Sequence, residues 1–127
     1  MQDFALAICD VNNLKYINDT YGHKIGDDYI RNASSIICRI FKHSPVYRFG
    51  GDEFIILLTG DDYARRNKLL EEIRGLSLDN LAKDEIAIAS GMADYDKEND
   101  KEVLEVFSKA DDSMYQDKKK LKTIQRL

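Results

Sequence analysis

Tryptophan is absent, proline occurs once (Pro45), and only two histidines and two cysteines are spread over 127 residues. Cys9 and Cys38 lie inside apolar runs without metal-ligand spacing, which argues against zinc and for buried free thiols. No apolar stretch approaches the roughly 20 residues that a membrane-crossing helix needs, and no signal-peptide pattern opens the chain. The expected setting is cytoplasmic. A basic excess is lacking too: 19 Lys and Arg stand against 23 Asp and Glu, a net charge of −4. That disfavours binding a long nucleic acid through a basic face, while leaving room for a small anionic ligand neutralised locally by cations. Linkers, repeats and low-complexity segments are missing as well, so residues 1–127 are expected to form one domain around a single core.

What the chain does contain is organised around residues 46–58, Val-Tyr-Arg-Phe-Gly-Gly-Asp-Glu-Phe-Ile-Ile-Leu-Leu. Two strand-like runs flank Gly50 and Gly51, whose freedom at positive φ suits a tight reversal, so a hairpin with Asp52 and Glu53 at its tip is expected. Residues 4–9 form an apolar run of strand length that ends at Asp10, as a central strand covered on both faces does. Leu14, Ile17 and Tyr21 predict a short helix closed by Gly22 in a left-handed cap, and a longer amphipathic helix follows from Asp27. Past the hairpin, the pattern predicts a helix over 63–74 stopped by Gly75, a strand over 85–92 and a helix from Val103 to Met114 with a basic tail (Lys118, Lys119, Lys120, Lys122, Arg126). The alternation of large residues with Ala87, Ala89 and Gly91 marks one sheet face for close approach by a helix. The fold class expected is α/β, a mixed sheet with packed helices and a motif-bearing hairpin.

If the first strand lies beside the hairpin, Asp10 converges with Asp52 and Glu53. At an effective dielectric of about 20, two such charges roughly 5 Å apart repel by about 3 kcal/mol, so a divalent counter-ion is expected among them. Oxygen donors suit Mg²⁺ or Mn²⁺, which keep waters and bind phosphate oxygens. Taken singly, each residue has a blander explanation: Asp10 as a strand end or helix cap, the tip acids as solubility, Lys15 as a solvated cation, His23 as a loop residue. A helix–loop–helix calcium site starting at Asp10 is excluded, because Lys15 and Tyr21 stand where Gly and Glu are required.

Taken together, Asp10-Val-Asn-Asn-Leu-Lys15, Ile17-Asn-Asp-Thr-Tyr-Gly-His23, Gly26-Asp27 and Arg48-Phe-Gly-Gly-Asp-Glu-Phe54 closely resemble the GGDEF domain of diguanylate cyclases in order and spacing. The resemblance implies a fold similar to the palm of nucleotide cyclases and polymerases, and condensation of two GTP into cyclic di-guanylate with release of pyrophosphate. It makes Asp10, Asp52 and Glu53, with the Val11 carbonyl, the metal site, and Asp52 and Glu53 the catalytic acids. Asn13, Leu14 and Lys15 resemble the phosphate-holding segment, Asn18 and Asp27 the guanine readers, and His23 their companion. Lys118 and, less closely, Lys122 match basic phosphate contacts, although Tyr115-Gln-Asp-Lys118 departs from the family's Tyr-x-Ala-Lys.

Two further departures bear on regulation. Where the family's product-inhibition motif has Arg-x-x-Asp, this chain has Phe41, Lys42, His43 and Ser44, so no feedback through that site is expected. The helix and Leu-Thr-Gly-Leu-x-Asn-Arg segment that usually precede the first strand are not in the sequence, which reads as part of a longer protein with a regulatory region upstream. One such domain holds one GTP, so turnover is expected to need a homodimer. The competing reading is a GTP or cyclic di-guanylate receptor without turnover.

Overall fold

The computed structural model describes residues 3–125; Arg126, read above as part of the basic tail, lies outside them. Strands β1 (Ala5–Val11), β2 (Val46–Phe49), β3 (Glu53–Leu58) and β4 (Ile88–Asp94) form one sheet in the order β2-β3-β1-β4. Each neighbouring pair is antiparallel, so the mixed sheet of the sequence reading narrows to an antiparallel one. The helices are α1 (Leu14–Tyr21), α2 (His23–Ile40), α3 (Gly60–Ala64), α4 (Arg66–Ala82) and α5 (Val103–Gln125).

β1 is buried along its whole length, as its unbroken apolar run requires. Its odd-numbered side chains, Ala5 to Val11, join Phe54, Ile56 and Leu58 of β3 under Ile30, Ala33 and Ile37 of α2 and Leu69 and Ile73 of α4. Its even-numbered Leu6 and Ile8 face the other way and meet Val106, Ala110, Met114 and Leu121 of α5. The single core expected is therefore two, because period-two alternation splits the apolar residues between the faces of a sheet with helices on both sides. Full burial of one Leu or Ile side chain contributes about 1.5–3 kcal/mol, so Ile37, Ile73 and Leu121 each anchor their helices.

Several boundaries move, each for a local reason. Gly22 has φ 92° and ψ 164°, positive but outside the left-handed helical region, and it serves both as the end of α1 and the start of α2. α2 consequently begins at His23 instead of Asp27. Gly75 does not stop the fourth helix: Ile73 and Ser77 continue its buried face, and the Ser77 hydroxyl donates to the Ile88 carbonyl and accepts from the Ile88 N–H. α5 runs on to Gln125, so Lys118, Lys119, Lys120 and Lys122 ride on a helix and not on a tail. Cys9 is buried as expected, but Cys38 is exposed, since it stands one position past buried Ile37 and turns away by a helical step.

Candidate functional site

The site lies where β1 and β3 end together. In the antiparallel register Asp10 stands opposite Glu53 on the α5 face, and the Val11 N–H donates to the Asp52 carbonyl at 2.9 Å. The connection from Phe49 to Glu53 needs one left-handed residue, Gly50 at φ 74°; Gly51 does not take positive φ. Arg48, given no role by the sequence reading, clamps this turn by donating Nε and Nη2 to the Gly51 carbonyl at 3.2 and 2.7 Å. Chain geometry thus delivers two acids of the tip to the end of the strand that carries the third.

Lys118 reaches from α5 and donates Nζ to Asp10 Oδ2 at 3.0 Å. The Asp10 side chain is 5% exposed and that of Lys118 30%. Burial pushes the Asp10 carboxyl above the usual carboxylate range, the Lys118 hydrogen bond opposes that, and the neighbouring Asp52 charge reinforces it. Burial likewise raises Glu53, helped by the charges of Asp10, Asp111 and Asp52. For Lys118, burial works against the ammonium, but the bond to Asp10 and the surrounding carboxylates prevail and hold its pKa above normal. The site therefore carries more negative charge than one lysine satisfies.

A cleft of about 570 Å³ opens over these groups. Its walls include Asp10, Val11, Asn13, Leu14, Lys15, Asp52, Lys118 and Lys122, eight of the residues singled out in the sequence, together with Tyr16 and Asp19, which were not. Asn13 enters α1 in a left-handed conformation (φ 64°), which Asn tolerates better than most residues. Tyr29 holds the adjoining backbone, its hydroxyl donating to the Asn12 carbonyl at 3.1 Å. Tyr29 sits one residue before buried Ile30 on the amphipathic α2, and its polar end gave no signal in the sequence. A second cleft, of about 600 Å³ and sharing Asn12, Asn13 and Tyr16, contains neither Asp10 nor Asp52. Size alone does not mark the site; convergent charge does.

Not every candidate lines the acid cleft. Asn18, His23 and Asp27 stand at the α1–α2 corner, His23 and Asp27 exposed, with the Asn18 carboxamide laid against Gly26, where a Cβ would fall 1.6 Å from its Oδ1. Glu53 adjoins the cleft without lining it. Among the described residues no three His, Cys, Asp or Glu side chains gather as a metal cage. The three expected carboxylates resolve instead into Asp10 and Asp52 on the cleft wall with Glu53 opposite Asp10 across the strands, and Lys118 takes one Asp10 oxygen. An all-oxygen pair beside an open cleft fits a hard cation that completes its shell with waters and phosphate oxygens.

Comparison with known proteins shows the family. Residues 1–123 match the family described as "Diguanylate cyclase, GGDEF domain". Diguanylate cyclase DgcM of Escherichia coli is 32% identical over 122 residues, covering 92% of this chain and 29% of that protein. The uncharacterized protein YtrP of Bacillus subtilis is also 32% identical, over 93% of this chain and 20% of its own length. The chain thus spans well under half of these curated relatives. Among solved structures, the active GGEEF domain of a diguanylate cyclase from Vibrio cholerae superposes with a TM-score of 0.77 at 25% identity, covering 94% of this chain and 78% of that one. The GGDEF domain of DgcB from Caulobacter crescentus, in complex with c-di-GMP, gives 0.76 at 28% identity, covering 92% and 72%. With its motif at a β-hairpin tip, its acids beside the first strand and its sequence matched almost end to end, the chain belongs to the diguanylate cyclase GGDEF-domain family.

Proposed function

We propose that this domain binds one GTP and, facing a second copy, joins two GTP into one cyclic di-guanylate with release of two pyrophosphates. The observation that carries the reading is the Asp10–Asp52 pair beside a cleft walled by Lys15, Lys118 and Lys122. Asp10 and Asp52, assisted by the Val11 carbonyl and with Glu53 adding charge, would hold Mg²⁺ or Mn²⁺. When bound, such a cation supplies charge neutralisation for the triphosphate and the departing pyrophosphate. Asp52 accepts the proton of the attacking 3′-hydroxyl, whose oxygen bonds to the α-phosphorus of the partner's GTP as the bond to pyrophosphate breaks. Lys15, Lys118 and Lys122, with the backbone of Asn13 and Leu14, orient the phosphates, which is where most catalysis of phosphoryl transfer resides.

Asn18 and Asp27, accompanied by His23, read the base. A carboxylate accepts from guanine N1–H and the 2-amino group, whereas adenine offers an acceptor and no 2-amino donor; the mismatch costs about 1–3 kcal/mol. Feedback through an Arg-x-x-Asp site is not part of the proposal. Phe41 is buried, and the His43 N–H and Ser44 hydroxyl donate to Asp62 at 3.0 and 2.6 Å, so this corner is committed to structure.

The test is a concentrated preparation with Mg²⁺ and GTP, assayed for pyrophosphate and cyclic di-guanylate. Both products are expected, and ATP is expected to be a poor substitute. Tight GTP or cyclic di-guanylate binding with no product, even in an enforced dimer, would make the domain a receptor instead.

A further inference from the structure

Lys118 is bound to a carboxylate that the proposed reaction needs for something else. Its Nζ sits 3.0 Å from Asp10 Oδ2, and the Asp10 side chain has almost no other exposed surface. The groups facing it are Asp10 on β1, Asp52 in the turn and Glu53 on β3, all carboxyl side chains. Lys122, four residues along α5 on the same face, lines the cleft with it. An ammonium and a divalent cation cannot both take the same carboxylate oxygen without strong repulsion.

Resting on the functional reading above, we propose that Lys118 is the resident counter-ion of Asp10: it competes with the divalent cation for that carboxylate and is released to the nucleotide's phosphates on loading. Charge accounts for the exchange. The partly exposed lysine lines the same cleft as the acid pair, so turning its flexible stem moves the ammonium from one anion to another. Cation and nucleotide then bind in a coupled way, because the phosphates offer the displaced ammonium a new partner. Metal alone has to displace it without compensation. Lys118 is in this sense a competitor of the metal and a ligand for the nucleotide, and its removal has opposite effects on the two.

Mn²⁺ binding to the full 127-residue chain, followed by water-proton relaxation with no nucleotide present, tests this on wild type, Lys118→Met, Lys118→Arg and Asp10→Asn. Loss of the competing ammonium is expected to tighten Mn²⁺ binding about tenfold or more in Lys118→Met. Lys118→Arg keeps the charge and should bind as wild type does, and Asp10→Asn should bind far less. GTP affinity measured with saturating Mn²⁺ is expected to fall in Lys118→Met. Circular dichroism melts confirm that each variant is folded. Equal Mn²⁺ affinity in wild type and Lys118→Met, with GTP weakened, would overturn the exchange and leave the functional reading standing. No Mn²⁺ binding by any variant would overturn both.

Discussion

Asp62 and Asp100 are acids buried for structure, and they set a scale for Asp10. Asp62 accepts from the His43 N–H and the Ser44 hydroxyl, tying the end of α2 to the start of α3. Replacing it with Ala leaves those donors without a partner and is expected to cost about 1–3 kcal/mol in urea unfolding. Asp100 accepts from Lys109 Nζ and the Asp96 N–H, both at 2.7 Å. The Lys109 ammonium, followed by that N–H, holds its carboxyl below the usual range. A depressed folded pKa contributes stability above the unfolded value, about 3.9, that is lost as pH falls through the folded value. The deficit of Asp100→Asn against wild type should therefore be full at pH 7 and 5 and shrink near pH 3 and below. Neither acid's role was legible in the sequence, because the partners of Asp62 are 18 and 19 residues away and Lys109 is nine from Asp100. Cys38 misled for the opposite reason: its apolar neighbours are inward only at helical spacing, and composition does not count spacing.

Two glycines decide how closely elements approach, and they predict opposite outcomes. A Cβ at Gly91 would stand 2.0 Å from the Met114 backbone nitrogen, so Gly91→Ala forces α5 off β4. Overpacking against immovable backbone is expected to cost about 3 kcal/mol, visible as a large drop in melting temperature. At Gly26 the obstacle is the Asn18 side chain, which can swing away, and Ala favours the helix by up to about 1 kcal/mol. Gly26→Ala should melt close to wild type while weakening GTP binding, if Asn18 reads the base. The close approach at Gly91 was legible as alternation of large and small residues along one strand. The lengths of α2, α4 and α5 were not: α2 opens directly after Gly22 and not at Asp27, and Gly75 and the lysine run resemble stop signals that tertiary packing of Ser77 and Leu121 overrides.

In the whole molecule, the sheet brings separated segments to one end, and that is why so much of the site could be read beforehand. Asp10, Lys15 and Asp52 belong to contiguous motifs, and a single assumption, β1 beside the hairpin, places them together; the register of Asp10 with Glu53 bears it out. What the one-dimensional pattern hid is the contact between Lys118 and Asp10, 108 residues apart, which turns an expected acid triad into a pair with a built-in cation. On the proposed reading each domain supplies one such pair and the product has two phosphodiester bonds, so the proposal calls for two copies facing each other.

The most direct test of that account fuses the chain to a dimeric coiled coil and measures cyclic di-guanylate formed from GTP and Mg²⁺, for wild type and for Asp52→Asn with its fold verified. Product at a steady rate from the wild-type dimer, with at least about a hundredfold less from the variant, is the expected result. Equal rates from the two proteins would contradict it.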